Sequence, residues 1–218
     1  MKNLLSLFAA ALLISSCNNS AKTSGEAGDV KNAAAGAASY TIDAAASSVR
    51  WEGAKITETV HYGLVSIAEG SLSVIDGTPD AGSFTIDMNS ITNQDLADAE
   101  YNAKLIGHLK SADFFMTETF PTAKFEISSV AASTEAGSTH TFTGNLTIKD
   151  VTKSVSFPAN VQVTDNALTA TATIIINRNE WGIVWGGSLT EQGIKDYLQN
   201  NLIKDEISFQ VNLKANKQ

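Results

Sequence analysis

From Tyr40 onward, apolar side chains recur at every second position. Val49, Trp51 and Gly53 alternate with polar or small residues, and Phe84, Ile86 and Met88 do the same against Thr85 and Asp87. Phe125 and Ile127 follow, then Phe142, Gly144, Leu146 and Ile148. Further sets are Val155, Phe157, Ala159, Val161 and Val163; Leu168, Ala170, Ala172, Ile174 and Ile176; and Ile207, Phe209, Val211 and Leu213. A period of two puts each set on one face of an extended strand. Burial of one face only is the habit of antiparallel sheets, because parallel strands covered on both faces read as unbroken apolar runs.

Two segments change period. Residues 93–111 predict a helix: Asn93 or Asp95 is placed to cap it, and Leu96, Ala99, Ala103, Ile106 and Leu109 keep a three-to-four spacing. Thr190 to Leu202 predict a second, shorter helix with Ile194, Leu198 and Leu202 on one stripe, Thr190 at the cap and Glu191 in the first turn. The pattern is therefore all-β, about eight antiparallel strands with two short inserted helices and no internal repeat. Eight such strands pack as a sandwich or close into a barrel. A barrel removes exposed edges and has room for one small ligand. Periodicity leaves the two architectures even.

The amino terminus reads differently. Lys2 supplies a positive start, Leu4 to Ile14 a short apolar run, and Ile14-Ser15-Ser16-Cys17 an aliphatic residue, two small residues and a cysteine. The run is too short to span a bilayer, and the whole resembles a bacterial lipoprotein signal over 1–16, cut before an acylated Cys17. Cys17 is the only cysteine, so no disulfide forms within the chain, and lipid attachment explains its presence. Residues 18–39 are rich in Asn, Ser, Ala, Gly and Lys with no aromatic side chain, too little apolar area to offset ordering entropy. Residues 17–39 are expected to be a flexible tether. About 178 residues remain for one domain with a sizeable core.

Removing 1–16 leaves 14 basic against 23 acidic residues, an acidic balance with no clustered Lys and Arg for phosphate. Nucleic acid is excluded as a partner, and charge alone does not bring such a chain to an anionic membrane. His61, His108 and His140 lack metal-ligand spacing, and no P-loop, dinucleotide fingerprint or nucleophile elbow is present. No catalytic residue and no cofactor are expected. Asp95, Asp98 and Glu100 lie where acids complement a helix dipole.

Several segments occur in a telling order. Tyr40-Thr41-Ile42-Asp43 is followed by His61-Tyr62-Gly63, then by Gly107-His108-Leu109-Lys110-Ser111-Ala112-Asp113-Phe114-Phe115 and Phe120-Pro121-Thr122-Ala123-Lys124-Phe125. Gly144-Asn145-Leu146-Thr147-Ile148-Lys149-Asp150-Val151-Thr152-Lys153 and Asn177-Arg178-Asn179-Glu180-Trp181-Gly182-Ile183 complete the set. Together they resemble the YceI-like family over 40–214. The resemblance implies a lipocalin-like antiparallel barrel that binds a polyisoprenoid, an isoprenoid quinone or a similar long amphiphile, without enzymatic activity and often as a homodimer. Trp181 stands where the family more usually has phenylalanine, which bears on the length of ligand.

The candidate ligand wall is Phe84, Phe125, Phe142, Phe157, Trp181 and Trp185, although the same residues would fill the dry core of a sandwich. Phe114 and Phe115 either cap the cavity mouth or staple the first helix to the barrel. Arg178 either meets a ligand head group, a phosphate or quinone carbonyl, or pairs with Glu180 or Asp43. The expectation is a lipid carrier or store in the bacterial cell envelope, held to the membrane through Cys17 and facing the periplasm. The alternative is a structural or interaction lipoprotein whose barrel is packed solid. Inward-facing Gly144, Ala159, Ala170 and Ala172 leave room and favour the first.

Overall fold

The structure is a computed structural model that describes residues 22–23, 25–57, 59–185, 194–195 and 202–218. In chain order the strands are β1 (Lys22–Thr23), β2 (Ala38–Ile42), β3 (Ser48–Lys55), β4 (Val60–Ile75), β5 (Thr78–Asp87), β6 (Thr122–Ala132), β7 (His140–Ile148), β8 (Val151–Val163), β9 (Ala167–Asn177) and β10 (Ile203–Lys217). Each of β3 to β10 pairs antiparallel with its successor, and β10 returns to β3, so eight strands close a barrel. Closure decides the sandwich-or-barrel question in favour of the barrel. β2 and β3 are one interrupted strand. β2 fills the slot between β4 and β10 at one end, and β3 fills it at the other.

The long strand β4 carries none of the alternation picked out above, and its register explains why. Val65 and Ile67 are buried on odd positions, Leu72 and Val74 on even ones. An irregularity between Ile67 and Glu69 in the pairing with β5 switches the parity. An extra residue in a bulge moves every later side chain to the other face. The β4–β5 turn has positive φ at Asp76 and Gly77, and the β7–β8 turn at Lys149 and Asp150. Paired left-handed residues match the twist of a two-residue hairpin.

The β4–β5, β6–β7 and β8–β9 turns lie at one end of the barrel, and this end is packed. Tyr40, Val74, Ile127, Val161, Leu168 and Ala215 are buried there, and the Tyr40 hydroxyl donates to Thr164 O at the β8–β9 turn. The opposite end carries the β3–β4 and β7–β8 turns, the connection 88–121 and the connection from Arg178 to β10. It is called the mouth end below.

The first helix, α1 (Ala99–Lys110), starts later than the spacing predicts. Asp98 caps it, accepting from Glu100 N (2.9 Å) and Tyr101 N (3.0 Å). Asn93 and Asp95 are not caps, because β4 recruits them: Asp95 Oδ1 accepts from Tyr62 N, and Asn93 Nδ2 donates to Tyr62 O. This docking requires Gly63, since a Cβ there would sit 1.8 Å from Thr92 O. The second expected helix, 190–202, lies outside the described residues apart from helical Ile194–Lys195 and buried Leu202. Residues 1–21, with the expected signal and Cys17, also lie outside them.

One stretch of wall has no partner strand. β8 pairs β9 only from Ala159 to Val163, so β8 before Ala159 and β9 after Ala172 are not paired with each other. β1 pairs β8 at Val155 and Ser156 inside this seam. The short 3-10 helix Arg178–Trp181 packs against β8 and β10 close by.

The segment expected to be a loose tether is fastened to the outside of the barrel. Gly28 N donates to Asn145 Oδ1 (3.0 Å), and Asn145 Nδ2 donates to Gly28 O (2.7 Å). Lys31 N donates to Ile127 O, Lys31 Nζ reaches Asp80 at 2.7 Å, and Ala34 N donates to Asp80 Oδ2. Polar attachments hold it, which is why apolar content did not reveal it. Lys31 and the Ala34 N–H hold the Asp80 carboxyl below its ordinary range against the opposing effect of burial. A lowered folded pKa makes a contribution that is complete above the unfolded value and is lost as pH falls through the folded one. The strap is therefore expected to stay docked at neutral pH and to loosen only below about pH 4. Asp80→Asn should free it at neutral pH. Faster hydrogen exchange at the Gly28, Lys31 and Ala34 amides is the readout, and unchanged exchange in that variant would refute the clasp.

Candidate functional site

A cavity of about 560 Å³ runs from the mouth end into the middle of the barrel. Its wall is built by the inward positions of the strands. Val49 and Trp51 come from β3, Phe84 and Ile86 from β5, Phe125 from β6, Phe142 and Leu146 from β7, Phe157 and Ala159 from β8, Ala170 and Ala172 from β9, and Phe209 and Val211 from β10. The aromatic rings form a row. Phe84 and Phe125 are 6.3 Å apart between centroids, Phe125 and Phe157 5.5 Å, and Phe157 and Phe142 6.1 Å. The small side chains of Ala159, Ala170 and Ala172 leave the space that larger ones would fill.

Helix α1 and the turn after it roof part of the cavity. The chain reverses at Ser111, which caps α1 by donating from its hydroxyl to His108 O (2.8 Å). Phe115 N then donates to Leu109 O, and Met116 N to Ser111 O. This tight return places Phe114 and Phe115 on the cavity lining. Phe114, His108 and Trp185 make one cluster, with His108 4.4 Å from Trp185 and 5.0 Å from Phe114 between ring centroids. The GHLKSADFF run is thus both staple and cap.

The polar groups of the lining are few, and most sit towards the mouth: Lys55, His61, His108, Arg178, Lys204 and Glu206, with Thr171 deeper on β9. His61 Nδ1 lies 2.7 Å from Asp95 Oδ2. Burial works to raise the Asp95 pKa, but the Tyr62 N–H, His61 and Asn93 outweigh it, and the carboxyl titrates below the ordinary aspartate range. His140 lies at the packed end, paired with Ala159 and Ala132 on its neighbouring strands. Among the described residues no three His, Cys, Asp or Glu side chains converge on one point.

Of the residues singled out from the sequence, Phe84, Phe114, Phe115, Phe125, Phe142, Phe157 and Trp185 all line this one cavity. Trp181 does not. It is fully buried away from the lining, and its indole N–H donates to Leu146 O (3.0 Å), so its bulk supports the wall rather than narrowing the cavity.

Arg178 touches the lining, but its donors are engaged elsewhere. Nε donates to Lys204 O, Nη1 to Ile183 O (2.6 Å) and Trp185 O (2.8 Å), and Nη2 to Ile203 O, with Asp205 at 3.6 Å. Four of the five N–H groups of the guanidinium thus donate to backbone carbonyls, and Asp205 supplies the nearby counter-charge. Pairing with Glu180 or Asp43 is replaced by this backbone clip, which ties the start of the mouth-end connection to its end. Burial lowers the Arg178 pKa and Asp205 opposes the shift. Lining residues that the sequence did not single out include Val65, Ile67 and Leu72 on β4, Tyr101 and Leu105 on α1, and Lys55 at the end of β3. Leu96 and Leu109 also line the cavity and belonged to the helical stripe read from the sequence, but nothing in that stripe says a helix lies over a barrel mouth.

The fold is shared with solved structures of low sequence identity. BcnA of Burkholderia cenocepacia is 22% identical, with 79% of this chain and 98% of that one covered and a TM-score of 0.57. A polyisoprenoid binding domain of Saccharophagus degradans, implicated in plant cell wall breakdown, is 17% identical, with coverage of 82% and 98% and a TM-score of 0.56. The YceI protein of Campylobacter jejuni is 18% identical, with coverage of 70% and 83% and a TM-score of 0.50. No curated protein matches the chain significantly. The YceI-like domain model matches residues 40–215, most of the barrel and its interrupted first strand, and the chain belongs to that family.

Proposed function

We propose that the barrel binds a long apolar lipid, of the polyisoprenoid or isoprenoid-quinone class, and carries or stores it at the bacterial cell envelope. The observation that carries this reading is the cavity: about 560 Å³, almost wholly apolar, with an aromatic row inside and its charged groups at one end. That volume falls within the range of about 300–1,000 Å³ typical of small-molecule sites. The arrangement suits an amphiphile whose chain lies inward and whose head stays near His61, Lys55 and Glu206. The polyisoprenoid binding of the Saccharophagus degradans domain supports the same ligand class. A barrel packed solid would leave no comparable space. The reading is one of binding and not of catalysis.

Burial of each methylene is worth about 0.8 kcal/mol against water, so a chain of several isoprene units would exceed the practical limit of about −20 kcal/mol for non-covalent affinity. The true competitor is the membrane, where such a lipid resides, and a barrel held beside a bilayer needs only to match it. Lipid extraction and mass spectrometry of the protein purified from its own cells test the reading. An isoprenoid-type lipid in near-stoichiometric amount is expected, and its consistent absence would refute it.

The anchor is part of the proposal. With Cys17 acylated, Cys17→Ser is expected to move the protein from the membrane fraction to the soluble one with its melting temperature unchanged, because Cys17 precedes β1, the first strand paired to the barrel. Retention in a salt-washed membrane pellet would refute the anchor.

A further inference from the structure

Resting on the lipid-binding reading, we propose that the His61–Asp95 pair at the mouth of the cavity selects a lipid whose head donates a hydrogen bond, a long-chain alcohol in preference to its ether. His61 shares the parity of Val65 and Ile67 on β4, lines the cavity, and has a side chain only 24% exposed. Asp95 is not part of the lining. It stands on the connection that leads to α1, with Oδ2 2.7 Å from His61 Nδ1. The nitrogen that meets Asp95 therefore faces out of the cavity. Nε2, across the ring, is the one turned towards the interior, and it has no partner among the described residues.

The pair fixes the tautomer. A carboxylate only accepts, so in a neutral imidazole beside it Nδ1 carries the proton and Nε2 keeps the lone pair. The carboxylate is itself held in one orientation: Oδ1 accepts from Tyr62 N (2.9 Å) and from Asn93 Nδ2, which leaves Oδ2 to His61. Burial works against its charge, but the Tyr62 N–H, His61 and Asn93 keep the carboxyl below the ordinary aspartate range, so it remains an acceptor at neutral pH. The mouth of an apolar cavity thus presents an acceptor of fixed direction. A hydroxyl satisfies it by donating, whereas an ether oxygen brings no proton and leaves the lone pair unmet. The other charged groups there discriminate less. Lys204 and Glu206 are exposed and of opposite sign, and Lys55 can donate to the oxygen of either head. The nearest rival is His108, whose Nε2 lies 3.1 Å from Oδ2 of exposed Asp113 and whose ring packs on Phe114 and Trp185.

The test uses the delipidated full chain, equilibrated with detergent micelles that carry equal amounts of geranylgeraniol and its methyl ether. The pH is about 8.5, where imidazole is ordinarily neutral. Native mass spectrometry reads the ratio of bound alcohol to bound ether. His61→Phe supplies the ratio without the acceptor, which cancels the unequal partition of the two lipids into micelles. A closed site built around a hydroxyl rejects the analogue lacking it by about ten-thousandfold or more. Water reaches part of His61, so the wild-type ratio is expected to exceed that of His61→Phe by about tenfold. Asp95→Asn provides the sharper sign. Tyr62 N and Asn93 Nδ2 hold the amide oxygen in the place of Oδ1, so the new NH2 faces His61 Nδ1 and moves the imidazole proton to Nε2. The ratio should then fall to the His61→Phe value or below it, whereas damage to the mouth alone would weaken both lipids alike and leave the ratio as it was. Asp113→Asn should keep the wild-type ratio. Equal ratios in wild type and His61→Phe, an unchanged ratio in Asp95→Asn, or a fall in Asp113→Asn instead would overturn the proposal; loss of fold in one His61 or Asp95 variant leaves the other to decide. Binding of both lipids without preference refutes the selection and leaves lipid binding, while binding of neither refutes both.

Discussion

Replacing Arg178 with methionine is expected to lower the melting temperature by on the order of 10 °C and to loosen the mouth end. Methionine fills much of the same volume and offers no donor. The carbonyls of Ile183, Trp185, Ile203 and Lys204 then lose the partner they share. A buried acceptor left unsatisfied costs about 1–3 kcal/mol, and removing a buried charged hub costs about 3–5 kcal/mol in all. For a domain of this size each kcal/mol is worth about 2–4 °C. Arg178→Lys should fall between the two, since an ammonium has three donors and cannot span acceptors laid out for a planar fork. Trp185 reports on the local effect, because Arg178 holds its carbonyl and its ring packs on His108. Thermal unfolding with near-ultraviolet circular dichroism measures both. A variant melting within about 2 °C of the parent would show that water replaces the clip at no cost.

Ala172→Trp is expected to empty the barrel of lipid while leaving its stability nearly intact. Ala172 lies on the cavity wall, paired with Ala159 on one side and Val211 on the other. In a solid core an indole at this position would cost about 1–3 kcal/mol in strain. In an open cavity it occupies space otherwise left to the ligand. The measurement is native mass spectrometry for occupancy beside thermal unfolding of both delipidated proteins. An occupancy at least about tenfold lower, equivalent to 1.4 kcal/mol of binding, with a melting temperature within a few degrees is the expected result. Early melting with unchanged lipid content would show that the wall is closed-packed at Ala172 and that the ligand lies elsewhere.

Much of this site was legible in the sequence because strand alternation assigns faces. Phe84, Phe125, Phe142 and Phe157 each sat in phase with apolar neighbours, and all four share one interior. Phe114 and Phe115 stood out because an aromatic pair in a connection has no strand to explain it. Other features escaped for physical reasons. β4 was hidden by a bulge that changes parity midway, so neither half is long enough to read by itself. The start of α1 was misplaced because Asn93 and Asp95 are good capping residues, yet Asp95 Oδ1 and the Asn93 amide nitrogen are taken by Tyr62, a contact distant in sequence. Trp181 and Arg178 showed the right chemistry in the wrong direction. Composition cannot tell an aromatic ring lining a cavity from one backing its wall, or a cation meeting a ligand from one satisfying four carbonyls. The strap is the clearest omission. Its attachments are backbone groups met by Asn145 and Asp80, and nothing in a run of Ala, Gly, Ser and Asn announces that partners wait on the barrel.

That strap also decides how the molecule bears load. Were Cys17 held in a bilayer as proposed, drag on the barrel would reach the two-residue ladder of β1 first, then the Gly28–Asn145 clip, then the Lys31–Asp80 clasp. These attachments stand in series, so they peel one at a time, while the long ladders of β9 and β10 carry none of the strain. Each one that yields pays out more line and lets the barrel ride further from the surface. The first to yield would be β1, which lies along the stretch of β8 that β9 leaves unpaired, so tension on the anchor would act on that stretch of the wall before any other.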